Sequence, residues 1–175
     1  TPSFGHLFPF ADGVQTDPLT GATDGVLARQ EAKGALPMII YTDTSSESWR
    51  GDACPSHGDL APGGDVALSA GVRRSLFAST QHGPGAAALT RHTKFGSHGK
   101  NYLNIIDYRP LYRAALMNLL AWVKDGAVPP DSAFPSQAAA SRGTRVEVMA
   151  ALSAFPGLAL PDGAAMTWVY PLDLG

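Results

Sequence analysis

The residues best equipped for acid–base chemistry fall into two short polar clusters. The first is Thr42-Asp43-Thr44-Ser45-Ser46-Glu47-Ser48-Trp49-Arg50-Gly51, and the second is Thr80-Gln81-His82-Gly83. Each follows a stretch that reads as a strand, the first of them a continuous apolar run, and side chains at the carboxyl ends of parallel strands converge on one crevice. A carboxylate from the first cluster can therefore meet the imidazole of the second. Such a carboxylate holds the ring's tautomer and stabilises the imidazolium formed when the base takes a proton. His82 is the candidate base, Glu47 its candidate acid, and Asp43 the alternative acid. The competing structural roles are a surface-loop histidine for His82, a helix N-terminal carboxylate for Glu47 and an N-cap for Asp43.

Other reactive groups form weaker patterns. His57, His92 and His98, with Asp52 and Asp59 nearby, match no compact zinc spacing such as His-Glu-x-x-His, and solvated loop histidines are the expectation, with no metal site. Gly83-Pro84-Gly85 reads as a turn and not a phosphate cradle, because Pro removes an amide donor. Thr1 would serve as an N-terminal nucleophile only in an autoprocessed chain. Gly96-Ser97-His98-Gly99 echoes a nucleophile elbow superficially, since no strand is expected before it and no helix after it.

The elements that must position the two clusters are few. Pro37 to Thr42 reads as a strand covered on both faces, and Val72 to Thr80 as a second strand. Asp17-Pro18-Leu19-Thr20-Gly21 is a turn signal, followed by a short helix with Asp24 as N-cap that ends near Lys33-Gly34. The clearest helix is expected from about Tyr108 to Asp125. Asp107 is its N-cap, Pro110 sits in the first turn and Gly126 is the stop. Leu111, Ala115, Leu119 and Trp122 make its apolar stripe. A weaker helix is expected at Arg145 to Ala154 and an edge strand at Thr167 to Tyr170.

Composition bounds what these elements can build. The 175 residues suffice for one domain, and 45% hydrophobic with 16% charged residues is a globular balance. With 13 basic and 15 acidic residues the net charge is −2, and no basic stripe points to nucleic acid. No apolar run is long enough for a bilayer, so no membrane partner is expected. Cys54 is the single cysteine, which excludes an internal disulfide and a cysteine-based zinc site. With 19 Gly and 14 Pro, much of the chain must be turns and loops. Localisation is not readable, because the chain opens at Thr1 with neither an initiator Met nor a leader pattern.

Several of these stretches resemble one family. Tyr41 through Ala53 is similar to a signature of the bacterial "alpha/beta hydrolase domain" proteins, a largely uncharacterised esterase-like group. So are Phe8-Pro9-Phe10, Gln15-Thr16-Asp17-Pro18, Thr80-Gln81-His82-Gly83-Pro84-Gly85, Asp107-Tyr108-Arg109-Pro110-Leu111, Phe155-Pro156-Gly157 and Leu160-Pro161. The acid-before-histidine order also fits that fold, whose triad runs Ser, acid, His. The resemblance implies the C-terminal part of an α/β-hydrolase fold, a mostly parallel sheet with flanking helices. Residues 1–36 would be an insertion or lid, and residues 37–175 the last core strands, terminal helix and tail. It makes His82 the base and Glu47 the acid, with Asp43 as the alternative. Family members commonly carry Asn at position 43 and a larger aromatic at position 48, so Asp43 adds a second carboxylate.

No Gly-x-Ser-x-Gly elbow occurs, so the nucleophile is expected outside the chain, in a missing N-terminal portion or a companion chain, and this polypeptide alone is expected to be inactive. The implied activity is that of a serine-type carboxylic-ester hydrolase on a small-molecule ester, needing no cofactor. His57, Trp49 and Gln81 are candidate pocket residues. Two other readings stand beside it: a degenerate hydrolase scaffold acting as a non-catalytic binding module, and a metal-dependent hydrolase using His57 and its neighbours.

Overall fold

The computed structural model describes residues 8–50, 65–94, 96–136 and 143–165. They form a mixed α/β arrangement around two small two-stranded sheets. In the first, β1 (Gln15–Thr16) pairs antiparallel with β2 (Thr23–Asp24). The turn between them is the one expected from Asp17 to Gly21. The Asp17 carboxylate accepts the Thr20 hydroxyl at 2.6 Å and the Leu19 amide at 3.1 Å, a side-chain-stabilised turn. Helix α1 (Ala28–Ala32) begins later than expected, and Asp24 does not cap it. Asp24 is committed to β2, where it faces Gln15, so the N-cap position falls to Leu27, which has no capping oxygen.

The second sheet positions the candidate site. Strands β3 (Ile39–Thr44) and β4 (Val72–Phe77) run parallel, in register from Ile39 opposite Val72 to Thr44 opposite Phe77. β3 starts two residues later than Pro37 because pairing begins where the Ile39 amide reaches Gly71 O at 2.8 Å. Pro37 has no amide to offer. The shift brings Asp43 and Thr44 into the strand, and Ser45 opens helix α2 (Ser45–Arg50) directly after it. β4 ends earlier than expected, at Phe77, and Ser79 then adopts a left-handed φ of 61°. On its other side β4 meets a third lane: the Leu76 amide donates to Ala133 O and the Ala133 amide to Arg74 O, both at 2.8 Å, in a parallel bridge.

Among the described residues the buried apolar side chains are Ala11, Leu27, Val72, Phe77, Tyr108 and Trp122. β3 was expected to be covered on both faces, yet Ile39 to Asp43 are only half-buried. A sheet of only two paired strands is too narrow for packed elements to cover both faces. Helix α3 (Arg109–Asp125) has nearly the expected span and ends at Gly126 with φ 69°, the left-handed stop that glycine permits. Trp122 of the apolar stripe is buried, Ala115 and Leu119 are half-buried, and Leu111 is exposed. The N-cap is Tyr108 and not Asp107, whose carboxylate is held by the Arg109 guanidinium at 2.8 Å. Helix α4 (Arg145–Ser153) opens with a capping box in which Thr144 and Glu147 satisfy each other's backbone amides. The expected edge strand at Thr167 to Tyr170 lies outside the described residues.

The turn after His82 is fixed by a close approach. The Gly85 amide donates to Ile106 O at 2.9 Å, and a Cβ at position 85 would lie 2.3 Å from the Ile105 carbonyl carbon. Backbone cannot give way there as a side chain could. Gly85→Ala is therefore expected to lower unfolding free energy by about 1–3 kcal/mol through overpacking, read as a reduced denaturant midpoint. Gly34→Ala, with open space around it, serves as a comparison for backbone strain alone.

Candidate active site

The two polar clusters do meet. His82 Nδ1 and Glu47 Oε1 lie 2.5 Å apart, although the residues are 35 positions apart in the chain. The Glu47 side chain is only 19% exposed, whereas that of His82 is 75% exposed. Nδ1 faces the carboxylate, and Nε2 has no hydrogen-bond partner among the described residues. A carboxylate accepts only, so the contact requires a proton on Nδ1.

Glu47 owes its position to the sequence Thr44-Ser45-Ser46-Glu47, which is a capping-box pattern. The Thr44 amide donates to Glu47 Oε2 at 2.8 Å, and the Thr44 hydroxyl donates to the same oxygen. The Thr44 hydroxyl oxygen in turn accepts the Ser46 amide at 3.3 Å. One carboxylate oxygen thus belongs to the helix start and the other to the imidazole. Burial alone pushes the Glu47 carboxyl up. The hydrogen bonds from the Thr44 hydroxyl, His82 and the Thr44 amide outweigh it and bring the pKa down to about 2.

His82 is held by the backbone around it. Tyr108 Oη donates to His82 O at 2.5 Å, and burial, with Tyr112 and Glu47 nearby, pushes the Tyr108 phenol up, so it stays a donor. Tyr108 is fixed by Phe77 at 6.0 Å and Tyr112 at 5.6 Å between ring centroids. This small aromatic cluster ties the start of α3 to the end of β4. The left-handed Ser79 is pinned from two sides: its amide donates to Ser45 Oγ at 2.8 Å, and its carbonyl accepts the Asn104 side-chain amide. Thr80 Oγ donates back to Phe77 O at 2.5 Å.

Asp43 is engaged elsewhere. Its carboxylate takes the Arg74 guanidinium at 2.9 Å, and the Arg74 side chain is 1% exposed. Arg74 also lies 4.8 Å over the Tyr41 ring and 5.9 Å from that of Phe134. Removing Asp43 would take a counter-charge from this buried cation, which is a structural role.

Of the candidate pocket residues, Gln81 lines both cavities at the site, one of about 640 Å³ shared with His82 and one of about 460 Å³ shared with Ser79. His57 and the side chain of Trp49 lie outside the described residues. Among the described residues no group of three or more metal-ligating side chains occurs. Ser97 is in a hairpin, not an elbow: its carbonyl accepts the Thr93 amide at 2.9 Å beside the His92–His98 bridge. Sequence reading did not single out Thr44, Tyr108, Ser45 or Asn104. Only Thr44 carried a usable signal, its capping-box spacing to Glu47. The chain matches no protein-family model, no curated protein and no solved structure.

Two outcomes are expected. The carboxyl of Glu47 is depressed from 4.5 to about 2 on folding, so its stabilising contribution is complete above about pH 4.5 and is lost as pH falls toward 2. Acid unfolding of Glu47→Gln should lack that component, and equal pH profiles for the two proteins would contradict the assignment. Tyr108→Phe should cost about 1 kcal/mol, the net worth of one hydrogen bond. It should also broaden the His82 ring resonances by NMR as the loop loosens.

Proposed function

We propose that this chain is the C-terminal portion of a serine hydrolase of the α/β-hydrolase type that cleaves carboxylic esters, with the serine supplied from outside these 175 residues. The observation that carries the reading is the 2.5 Å contact between His82 Nδ1 and Glu47 Oε1 beside an exposed imidazole edge and a cavity. The acid follows the first of two parallel strands and the histidine the second, an arrangement compatible with that fold.

In this mechanism an incoming serine hydroxyl gives its proton to His82 Nε2 as its oxygen attacks the ester carbonyl. Glu47 stabilises the imidazolium that results. His82 then protonates the departing alcohol, and a water molecule repeats the cycle to release the acid. Glu47 suits this role because its second oxygen is anchored by Thr44, so the pair stays aligned while charge moves. Asp43 is left with Arg74 and takes no part. No cofactor is needed for any step.

The test uses the complete encoded protein and a short-chain aryl ester. Glu47→Gln should lower kcat by about 10⁴-fold, the scale seen when a triad loses its acid, and His82→Ala by about 10⁶-fold, the scale for loss of its base. Asp43→Asn should lower stability more than turnover. Unchanged activity in His82→Ala would sink the proposal and leave a non-catalytic binding module as the reading. An orders-of-magnitude loss in Asp43→Asn with a normal fold would move the acid assignment.

A further inference from the structure

The loop that carries His82 is gripped by a short strap, residues 104–108, that leads directly into α3. Alternate residues of the strap make the holds. The Asn104 side-chain amide donates to Ser79 O, ahead of His82 in the chain. Ile106 O accepts the Gly85 amide at 2.9 Å, beyond His82. Tyr108 Oη donates to the carbonyl of His82 itself at 2.5 Å. The segment entering the strap is anchored separately, by the Leu103 amide on Thr90 O at 2.8 Å. With its ring 75% exposed, His82 takes little orientation from packing, so the backbone that carries it has to be fixed in this way.

Asn104 joins the holds on either side of the base. Its Oδ1 accepts the Ile106 amide at 2.8 Å, a local turn of the Asx kind that sets the direction of the strap. Its Nδ2 goes to Ser79 O. A carbonyl needs a donor and an amide needs an acceptor, so these two partners fix which way round the side chain sits. Ser79 has φ 61°, a conformation that serine keeps only where its surroundings impose it. Holding the Ser79 carbonyl fixes the peptide through which the chain leaves for Thr80 and His82. Asn104 is half-buried and lines both cavities at the site, so replacing it spares the buried apolar side chains.

We propose that Asn104 is a positioning residue for His82, fixing the backbone on both sides of the base so that the imidazole stays on Glu47 while charge moves. Both of its side-chain hydrogen bonds go to backbone atoms, so it acts through the loop and takes no part in the bond chemistry. This inference rests on His82 being an esterase base. Asn104→Asp keeps the acceptor for Ile106 and removes the donor for Ser79, because an ionised carboxylate only accepts. Asn104→Ala removes both.

The test uses the complete encoded protein and a short-chain aryl ester. Each Asn104 variant should lower kcat by about 10²-fold, the scale of a misplacement of about 1 Å, and leave KM unchanged. The proton between His82 Nδ1 and Glu47 should give a low-field NMR resonance that Glu47→Gln removes. Asn104→Asp should weaken that resonance while the denaturant midpoint stays near the parent value. An unaltered kcat and resonance in both variants would overturn the proposal. So would a raised KM at full kcat, which makes Asn104 a substrate contact, or unfolding at the assay temperature, which makes it a residue of the fold. His82→Ala separates the two levels. Turnover that needs His82 but not Asn104 removes only the positioning role. Turnover that survives His82→Ala removes the esterase reading, and the low-field resonance of Asn104→Asp still reports whether Asn104 holds the ring on Glu47.

Discussion

The candidate site depends on the division of one carboxylate between two masters. Glu47 gives Oε2 to the amide and hydroxyl of Thr44 and Oε1 to the ring of His82. A glutamate on a short helix would ordinarily sample several rotamers. Anchoring one oxygen to the residue that starts the helix removes that freedom before the imidazole arrives, so little further ordering is needed to form the pair. α4 offers a built-in comparison. Thr144 holds Glu147 in a similar way there, through its amide at 2.7 Å and its hydroxyl at 2.8 Å, but among the described residues no imidazole approaches the carboxylate. The motif is therefore a structural device in both places, and the sheet brings an imidazole to one of them.

The sheet does so by register. Thr44 stands opposite Phe77, so the ends of β3 and β4 are level, and the segments leaving them rise side by side. The left-handed residue at Ser79 turns the chain after β4 toward α2, where Ser45 receives its amide. A non-glycine residue at positive φ persists only when its surroundings over-determine it, and here α2 and Asn104 supply the two holds. Below the dyad the Asp43–Arg74 pair uses the neighbouring carboxylate for packing. Two acids four residues apart thus serve different ends, one facing a buried guanidinium and the other a solvent-exposed imidazole.

Local signals in the sequence were legible where a single residue dictates geometry. Gly126 stops α3, Asp17 builds its own turn, and the apolar run at Pro37 to Thr42 marks the first of the two parallel strands. The pairing of His82 with a carboxylate was readable as a class of contact, because both clusters follow strands. The choice of Glu47 over Asp43 was not set by spacing. It depends on Arg74, which sequence alone shows as one more polar residue in a strand. Tyr108 was invisible as a brace for the same reason, since its partner is a backbone carbonyl 26 residues away. Asp24 and Asp107 misled as caps because each had a stronger engagement, one with a strand partner and one with Arg109.

The parallel connection between β3 and β4 has a consequence for how the molecule comes together in time. The Thr44–Glu47 clamp spans three residues and can form as soon as α2 nucleates. Contact with His82 must wait for a loop across 35 positions to close, an entropic hurdle that local structure cannot lower. The clamp on the acid thus costs little chain entropy to close, whereas the contact with the imidazole carries the cost of the long-range strand pairing.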